Sequence, residues 1–239
     1  MIRMREVVNS ATVLWLMLAA IGSAKAAEPM FTQVEVFKAG EEGYHTFRIP
    51  SLIITKKGTV LAFSEGRRNS QSDTGDINTV LKRSFDRGRT WTKLQMVAEQ
   101  AGNTIGNPCP VVDRDSGTIW LLLTGNPGDL TENQINEGKV EGTRTVWLTR
   151  STDDGATWSQ PREITRSVKR PEWTWYATGP GNGIQLRSGR LVIPCDHRRK
   201  GLNASFSHVI YSDDRGKTWR IGGSVSEQTN ECQAVELEG

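Results

Sequence analysis

Charged, amide and aromatic side chains recur in this sequence where short apolar runs begin or end. They occur in six phrases: Arg48-Ile49-Pro50, Glu65-Gly66-Arg67-Arg68, Ser72-Asp73-Thr74-Gly75-Asp76, Asn107-Pro108-Cys109-Pro110, Trp175-Tyr176 and Asn230-Glu231-Cys232-Gln233. Arginine presents a planar fork of N–H donors that can bind a carboxylate through two bonds. Aspartate and glutamate can donate or accept a proton during catalysis. These residue types together indicate a site that could bind an acidic molecule and move a proton on it.

A repeated phrase indicates which elements must position these residues. It fits Ser-x-Asp-x-Gly-x-Thr-Trp and occurs at residues 84–91, 151–158 and 212–219, a long and nearly regular spacing. Ser and Asp side chains can hydrogen-bond nearby backbone amides, Gly supplies a positive φ, and Trp can bury its ring beside the turn. We interpret the phrase as a structural hairpin turn, because a catalytic role would make every copy an active site.

Strand-like runs precede each copy of the phrase. Short apolar or alternating runs bounded by Gly, Asn, Asp and Ser are typical of β-strands. The runs are 49–55 and 59–63, then 110–112 and 118–123, then 183–186 and 190–194. A further strand is expected before each phrase, and the phrase itself is a hairpin. About four strands per unit predicts an all-β fold built from propeller blades.

The number of units indicates how much of a propeller is present. A fourth unit begins at Asn230 and stops at Gly239. The chain would therefore hold about three blades and a stub of the fourth, whereas propellers close with roughly four to eight blades. We expect residues 27–239 to be the N-terminal portion of a longer propeller domain.

The N-terminus has the pattern of a secretory signal. Arg3 and Arg5 precede a short apolar segment at residues 11–21, and Ala24-Lys25-Ala26 is a small-x-small cleavage site. We predict a signal peptide at residues 1–26, cleavage after Ala26, and a secreted or periplasmic protein. The alternative is a membrane anchor, but the apolar segment is shorter than the roughly 20 residues needed to span a bilayer. No stable membrane insertion is expected.

The remaining composition argues against several kinds of site. The net charge of +3 is dispersed along the chain and gives no argument for nucleic-acid binding. Cys109, Cys195 and Cys232 lie far apart, and their odd number argues against a disulfide framework, so buried free thiols are expected. The three histidines are isolated along the chain, and no spacing predicts a metal site. No cofactor is predicted.

In their order along the chain, these phrases resemble the exo-α-sialidases, or neuraminidases. That family consists of six-bladed β-propellers in which the repeated phrase is called the Asp box. Phe47-Arg48-Ile49-Pro50 resembles the family's Tyr/Phe-Arg-Ile-Pro signature, and the likeness extends from about Phe37 to Leu237. Asp boxes alone are weak support, since unrelated propellers carry them, whereas the ordered set of phrases is specific.

The resemblance implies roles for the residues of the first unit. Arg48 would be the first of three arginines that bind the substrate carboxylate. Arg67 would bind the sugar near its carboxylate and O4, with Arg68 as the alternative. Asp73 would be the acid/base that protonates the departing aglycone oxygen and then activates water, with Asp76 as the alternative.

The resemblance also implies an unusual nucleophile. Glu231 would activate a tyrosine, with Glu236 as the alternative base. Sialidases with a tyrosine nucleophile are an exception among glycosidases. A carboxylate nucleophile would face the substrate's own carboxylate, and a neutral tyrosine avoids this repulsion.

Further residues are implied as the lining of the substrate pocket. Asn107 and Glu132 would lie on its second-unit side. Tyr176, with Trp175, would border the glycerol and N-acetyl groups of the sugar. Gln185 stands in a similar phrase, but we interpret it as structural.

The implied activity depends on residues beyond this sequence. In the family, the second and third arginines and the nucleophilic tyrosine lie after the Glu231 motif. The longer protein would hydrolyse terminal α-linked sialic acids from glycoproteins, glycolipids or oligosaccharides with retention, and this fragment alone is expected to be inactive. Two alternatives remain: a non-catalytic Asp-box propeller that binds carbohydrate, and another Asp-box glycoside hydrolase, which would not need Arg48 together with Glu231.

Overall fold

Strands carry nearly all regular structure in residues 31–238, which are the residues that the computed structural model describes. The strands are β1 (Thr46–Ile54), β2 (Val60–Arg67), β3 (Ile77–Ser84), β4 (Gln95–Ala98), β5 (Thr104–Val112), β6 (Ile119–Asn126), β7 (Thr145–Ser151), β8 (Arg162–Glu163), β9 (Trp173–Thr178), β10 (Ile184–Gln185), β11 (Leu191–Arg199), β12 (Ser205–Ser212) and β13 (Arg220–Glu227). Two short helices, α1 (Glu132–Glu137) and α2 (Thr165–Val168), lie in connections. None of the helices in this part of the chain could cross a membrane. The predicted signal peptide, residues 1–26, lies outside the described residues.

The strands form three antiparallel units, each made of consecutive strands. Unit 1 is β1–β4 and unit 2 is β5–β8. In unit 3 the first strand is interrupted, so that β9 and β10 both pair with β11, which is followed by β12 and β13. The strands are longer than the predicted runs: β5 begins at Thr104 rather than at residue 110, and β11 extends to Arg199 rather than to residue 194. The four-strand plan of each unit agrees with the sequence prediction.

The core lies between the faces of neighbouring units, and β6 shows how it is built. Every residue of β6 is buried, and successive side chains point to opposite faces. Leu121 and Leu123 pack in an apolar cluster with Leu61 and Phe63 of unit 1. Trp120 and Leu122 pack in a second cluster with residues of unit 3. The middle unit is therefore covered on both faces by its neighbours.

The three Asp boxes form the predicted hairpin turns with the same hydrogen bonds in each copy. In the first, Ser84 Oγ donates to Asp86 Oδ1 at 2.8 Å and accepts from Gly88 N at 2.7 Å. The Asp86 carboxylate accepts from Thr90 N at 2.9 Å and from Thr90 Oγ1 at 2.6 Å. These bonds lower the pKa of Asp86 to about 2. The glycine has a φ of 86°. These contacts agree with a structural role for the phrase.

Two of these turns also join neighbouring units. Gly216 of the third Asp box lies so close to Trp120 of unit 2 that a Cβ atom there would overlap the indole. Trp158 of the second Asp box packs edge-on against Phe63 of unit 1, with ring centroids 5.6 Å apart. The turn residues thus fix the packing of each unit on the one before it.

A bend recurs at the first strand of all three units, immediately before a proline. Ile49, Asn107 and Gly179 have φ values of 52°, 50° and 80°. Left-handed backbone is costly for a β-branched residue such as isoleucine. The strand pairing shifts register at the first two bends, and at the third the strand is broken between β9 and β10. Such bends change the direction in which side chains point. Arg48 lies next to the first bend, and Asn107 lies at the second.

Two of the three histidines are paired in the core, contrary to the expectation that they are isolated. The β11–β12 hairpin brings His197 and His208 together, with their Nδ1 atoms 3.0 Å apart. His197 is stacked between Trp173 and Phe206. Burial lowers the pKa of His197 to about 4 and that of His208 to about 3. Positive charges add to the effect, from Arg199 and Arg170 on His197 and from His197 on His208.

We expect stability to fall as the pH falls from 7 to 4 because of this pair. The unfolded chain binds a proton on each histidine near pH 6.5, and the folded chain does so only near the lowered pKa values. The stabilisation is therefore present above pH 6.5 and is lost on acidification, by about 3 kcal/mol for one such histidine. Urea unfolding at several pH values measures it. His197→Phe should flatten the dependence, whereas the exposed His45→Gln should not; equal curves for all three proteins would contradict the prediction.

Candidate active site

A pocket of about 180 Å³ lies where the bent first strands of the units meet. Six of the seven predicted site residues line it: Arg48, Arg67, Asp73, Asn107, Glu132 and Glu231. They come from units 1 and 2 and from the segment after β13. The structure therefore brings together side chains that are far apart in sequence.

Asp73 lies between two arginines at one end of the pocket. Its Oδ1 atom is 2.9 Å from Arg48 Nη1 and 2.7 Å from Arg67 Nη2. Asp73 belongs to the loop between β2 and β3, and its side chain is 64% exposed. Arg48 is 47% exposed, whereas Arg67 is only 3% exposed. The carboxylate and one arginine are thus accessible from solvent, and the other arginine is buried behind them.

Glu65 is a buried carboxylate that the sequence analysis did not select. It lies two residues before Arg67 on β2, so both side chains point to the same face of the sheet. Its Oε2 atom accepts from Arg67 Nε at 3.0 Å and from Arg67 Nη2 at 2.7 Å. Its Oε1 atom accepts from Asn107 N at 2.9 Å. The close approach requires glycine at residue 106, because a Cβ atom there would overlap the Glu65 carboxyl group.

Asn107 connects the three units beneath the pocket. Its strained backbone N–H donates to Glu65 Oε1 of unit 1, as above, and its carbonyl accepts from Thr178 Oγ1 of unit 3 at 2.6 Å. Its side-chain Oδ1 accepts from Thr124 Oγ1 at 2.8 Å and from Arg144 Nη1 at 2.7 Å. This set of contacts holds the left-handed conformation of Asn107 in place.

Tyr176 does not line the pocket, so the prediction for this residue is wrong. Its side chain is fully buried in the core between units 2 and 3, and its hydroxyl donates to Cys195 Sγ at 3.5 Å. Because side chains alternate along a strand, Trp175 and Tyr176 cannot face the same side of β9. Trp175 and Ala177 line the pocket instead.

Arg144 and Asp196 also line the pocket and were missed by the sequence analysis. Arg144 precedes β7 and is 3% exposed, and its guanidinium lies 3.8 Å from the centroid of the Trp175 ring. Its Nη1 atom donates to Asn107 and Thr124, but its buried Nε atom has no partner among the described residues. Burial lowers the pKa of Arg144 to about 10.

Asp196 is 2% exposed, and its pKa lies near neutrality. Burial raises its pKa to about 7; Arg144 opposes this change, and Glu231 and Glu132 add to it. The Asp196 carboxyl group is therefore about half protonated at neutral pH.

Two local features position the remaining carboxylates. Glu132 is the first residue of α1, whose capping box joins Thr131 and Gln134, and it lies 3.6 Å from Arg198 Nε. Glu231 follows Asn230, whose carbonyl accepts a hydrogen bond from Ser207 on β12. Ser207 N also donates to Thr229 Oγ1 at 2.8 Å. The segment that carries Glu231 is thereby attached to unit 3.

The alternative residues of the sequence analysis lie away from the pocket. Arg68 and Asp76 pair with each other at 3.3 Å across the ends of the β2–β3 loop. The Glu236 carboxylate accepts from Arg187 N. Gln185 contacts Asp113 and Arg114, in agreement with its structural interpretation.

The three cysteines are free thiols, as expected, and two of them are buried. Cys109 and Cys195 are buried, and Cys232 is half-buried. Burial raises the pKa of the Cys109 thiol well above its ordinary value. Neither buried thiol is positioned as a nucleophile in the pocket.

Comparison with known proteins identifies the family of this chain. The BNR repeat-like domain family matches residues 58–239. The exo-alpha-sialidase of Aspergillus fumigatus is 39% identical over 198 residues, which are 72% of this chain and 48% of that protein. The sialidase of Bacteroides fragilis is 34% identical over 218 residues, 86% of this chain and 40% of that protein. This chain belongs to the sialidase family. It spans about half the length of the curated relatives that it matches.

Solved sialidases show the same architecture. The Hadza microbial sialidase Hz136 superimposes with a TM-score of 0.74 at 32% identity, covering 81% of this chain and 40% of that one. The three units therefore have the fold of a sialidase β-propeller, and the predicted all-β propeller class is confirmed, whereas the number of six blades stays a prediction.

Proposed function

We propose that the full-length protein is an exo-α-sialidase that hydrolyses terminal α-linked sialic acids from glycoproteins, glycolipids or oligosaccharides. The observation that carries this proposal is the Arg48–Asp73 contact at 2.9 Å at the mouth of the pocket. Arg48, as the carboxylate-binding group, and Asp73, as the proton-transferring group, would thereby both lie near the anomeric carbon of a bound sugar. Family membership supports the same reaction class.

In the proposed mechanism, Arg48 binds the sugar carboxylate. Its guanidinium can form two parallel hydrogen bonds with a carboxylate. One nitrogen contacts Asp73, and half of the side chain is open to the pocket, so the remaining donors can meet the substrate.

Asp73 acts as the general acid and then as the general base. It protonates the glycosidic oxygen as the aglycone leaves, and in the second step it accepts a proton from the attacking water. Its exposed position at the end of the pocket suits this role, because the aglycone must leave toward solvent.

The nucleophile is proposed to be a tyrosine activated by Glu231. The chain has three tyrosines, and none of Tyr44, Tyr176 and Tyr211 lines the pocket. The nucleophile would therefore come from a part of the protein outside this sequence. Two successive displacements at the same carbon would give net retention.

The proposed location is outside the cell or in the periplasm, where glycoconjugate substrates are accessible. The support for it is the signal-like pattern of residues 1–26 and the cleavage motif Ala24-Lys25-Ala26. Amino-terminal sequencing of the secreted protein tests it, with Ala27 expected as the first residue.

The activity is tested with the full-length gene product and a fluorogenic sialoside. We expect release of the fluorophore, and proton NMR should show the α-anomer of free sialic acid as the first product. Initial formation of the β-anomer would contradict retention. The absence of any release from a folded full-length protein would contradict the proposed function itself.

A further inference from the structure

A second pocket lies in the groove between unit 2 and the third Asp box, and it shares no lining residue with the candidate active site. Its volume is about 360 Å³, compared with about 180 Å³ for the active-site pocket. Unit 2 contributes residues of β6, β7 and β8, and the third Asp box contributes Lys217. Pockets that hold a small organic molecule have volumes of about 300–1,000 Å³. The groove is therefore large enough for a ligand of that size.

The groove carries positive charge without a counter-charge. Arg150, Arg162 and Lys217 line it and are exposed, whereas no aspartate or glutamate is among its lining residues. None of these three cations forms an ion pair within residues 31–238. Charges of one sign that line a cleft attract ions of the opposite sign from solution. The groove therefore favours a negatively charged ligand.

The junction between units 1 and 2 shows that these charges are not needed for packing. There, Gln95 Nε2 donates to the carbonyl oxygen of Ala156 in the second Asp box at 3.0 Å. At the junction between units 2 and 3, Arg162 Nη2 donates at 2.9 Å to the carbonyl oxygen of Lys217, the equivalent residue of the third box. Two neutral residues thus make at one junction the contact that two cations make at the other.

The residues beside this contact also correspond between the two junctions. Gly155 lies against Leu61 at the first junction, and Gly216 lies against Trp120 at the second. The guanidinium of Arg150 lies 5.5 Å from the centroid of the Trp120 ring, an attractive arrangement that holds the charge at the groove. The second junction therefore adds an aromatic ring and three cations to a contact that the repeat makes without them.

We propose that the groove between unit 2 and the third Asp box binds an acidic sugar through its carboxylate or sulfate group, which Arg150, Arg162 and Lys217 contact. Arginine can form two parallel hydrogen bonds with an oxyanion of this kind. Ser159 and Gln160 also line the groove, and their side chains can hydrogen-bond the sugar hydroxyls. Because this site is separate from the active-site pocket, a glycan with several acidic sugars would contact the protein at two places.

Calorimetric titration of the full-length protein tests the proposal. The acidic probes are methyl glucuronide and a sulfated methyl galactoside, which separate the two anionic groups, and methyl galactoside is the neutral control. We expect at least one acidic probe to bind and the neutral probe not to bind. Acetate and inorganic sulfate should bind more weakly, because they cannot use Ser159 and Gln160. Failure of both acidic probes to bind would overturn the proposal, and so would equal affinities for the sugar and its inorganic or acetate counterpart.

Arg162→Gln combined with Lys217→Ala is the variant that the repeat itself suggests. It removes two charges and introduces the residue types of Gln95 and Ala156, which make the same contact at the first junction, so folding should be preserved. Each lost charge-assisted contact should weaken binding by about tenfold. We therefore expect the affinity for the acidic probe to fall by about 100-fold. An unchanged affinity would overturn the proposal.

A matched control and a second readout locate the site. Arg83 stands one residue before the first Asp box, as Arg150 stands before the second, but it does not line the groove. Arg83→Gln should leave the affinity for the acidic probe unchanged. In NMR spectra, the indole N–H signal of Trp120 should shift when the probe binds, whereas that of Trp91 in the first Asp box should not. A loss of binding in Arg83→Gln equal to that in the double variant, or an unmoved Trp120 signal, would place the bound sugar elsewhere and overturn the proposal.

Discussion

Replacing Asp73 with alanine is expected to lower kcat/KM for a sialylated oligosaccharide by about 1000-fold in the full-length protein. General acid–base groups contribute about 100- to 10,000-fold to such reactions. Asp73 has the geometry for this role, since its carboxylate is at the pocket mouth, 2.9 Å from Arg48 and accessible to an entering glycosidic oxygen. A sugar alkoxide is a poor leaving group, so its departure would depend on protonation, which is the role proposed for Asp73.

The dependence on the leaving group is the sharper part of this prediction. An aryl sialoside has a leaving group that needs little protonation, so Asp73→Ala should reduce its turnover much less than that of the oligosaccharide. Initial rates with both substrates measure the difference. Equal losses for the two substrates would contradict a role in protonating the leaving group.

Two carboxylates serve as matched controls for Asp73. Asp76 lies at the end of the same loop and pairs with Arg68 outside the pocket, and Asp213 pairs with Arg190 on the surface. Asp213→Ala should leave the rates with both substrates unchanged. Asp76→Ala should have a small effect, equal for the two substrates, since it alters the loop and not the proton transfer. A leaving-group dependence in Asp76→Ala would transfer the proposed role to Asp76.

The repeat architecture could be predicted from sequence because its signals are local. Each Asp box makes its hydrogen bonds within a few residues, as in the contacts of Ser84 and Asp86 with Gly88 and Thr90. Such contacts require fixed residue types at fixed spacing. The strand bounds were less accurate, because β11 continues past Pro194 through Cys195 and Asp196 into residues that are not apolar.

The missed site residues differ in how far they could have been found. Asp196 is a single carboxylate at the end of an apolar run, Leu191 to Cys195, and that contrast was a usable signal. Arg144 follows a polar segment with charges of both signs, and nothing local distinguishes it from a solvated residue. Its burial results from the packing of Trp175, which comes from another unit. Long-range packing of this kind is not encoded in spacing.

The second large effect is expected for Glu65→Ala, which should destabilise the folded protein by about 3–5 kcal/mol. Removing one partner of a buried ion pair leaves the other charge buried without compensation. Here the remaining charge is Arg67, 3% exposed, which would lose the acceptor of its Nε and Nη2 atoms. Asn107 N would also lose its acceptor at a backbone position with a φ of 50°. Urea unfolding, followed by intrinsic tryptophan fluorescence, measures the change.

A surface pair and a double variant test the physical reason for this loss. Glu41 pairs with Lys38 at 2.6 Å, and both side chains are more than half exposed, so Glu41→Ala should cost no more than about 1 kcal/mol. Glu65→Ala combined with Arg67→Met removes both charges, and apolar replacement of a buried pair is often close to neutral. The double variant should therefore recover much of the stability that Glu65→Ala loses. The single variant Arg67→Met completes the comparison. If the double variant loses as much stability as Glu65→Ala and Arg67→Met lose in sum, Glu65 and Arg67 are not energetically coupled. The cost of Glu65→Ala would then have to come from the lost Asn107 contact.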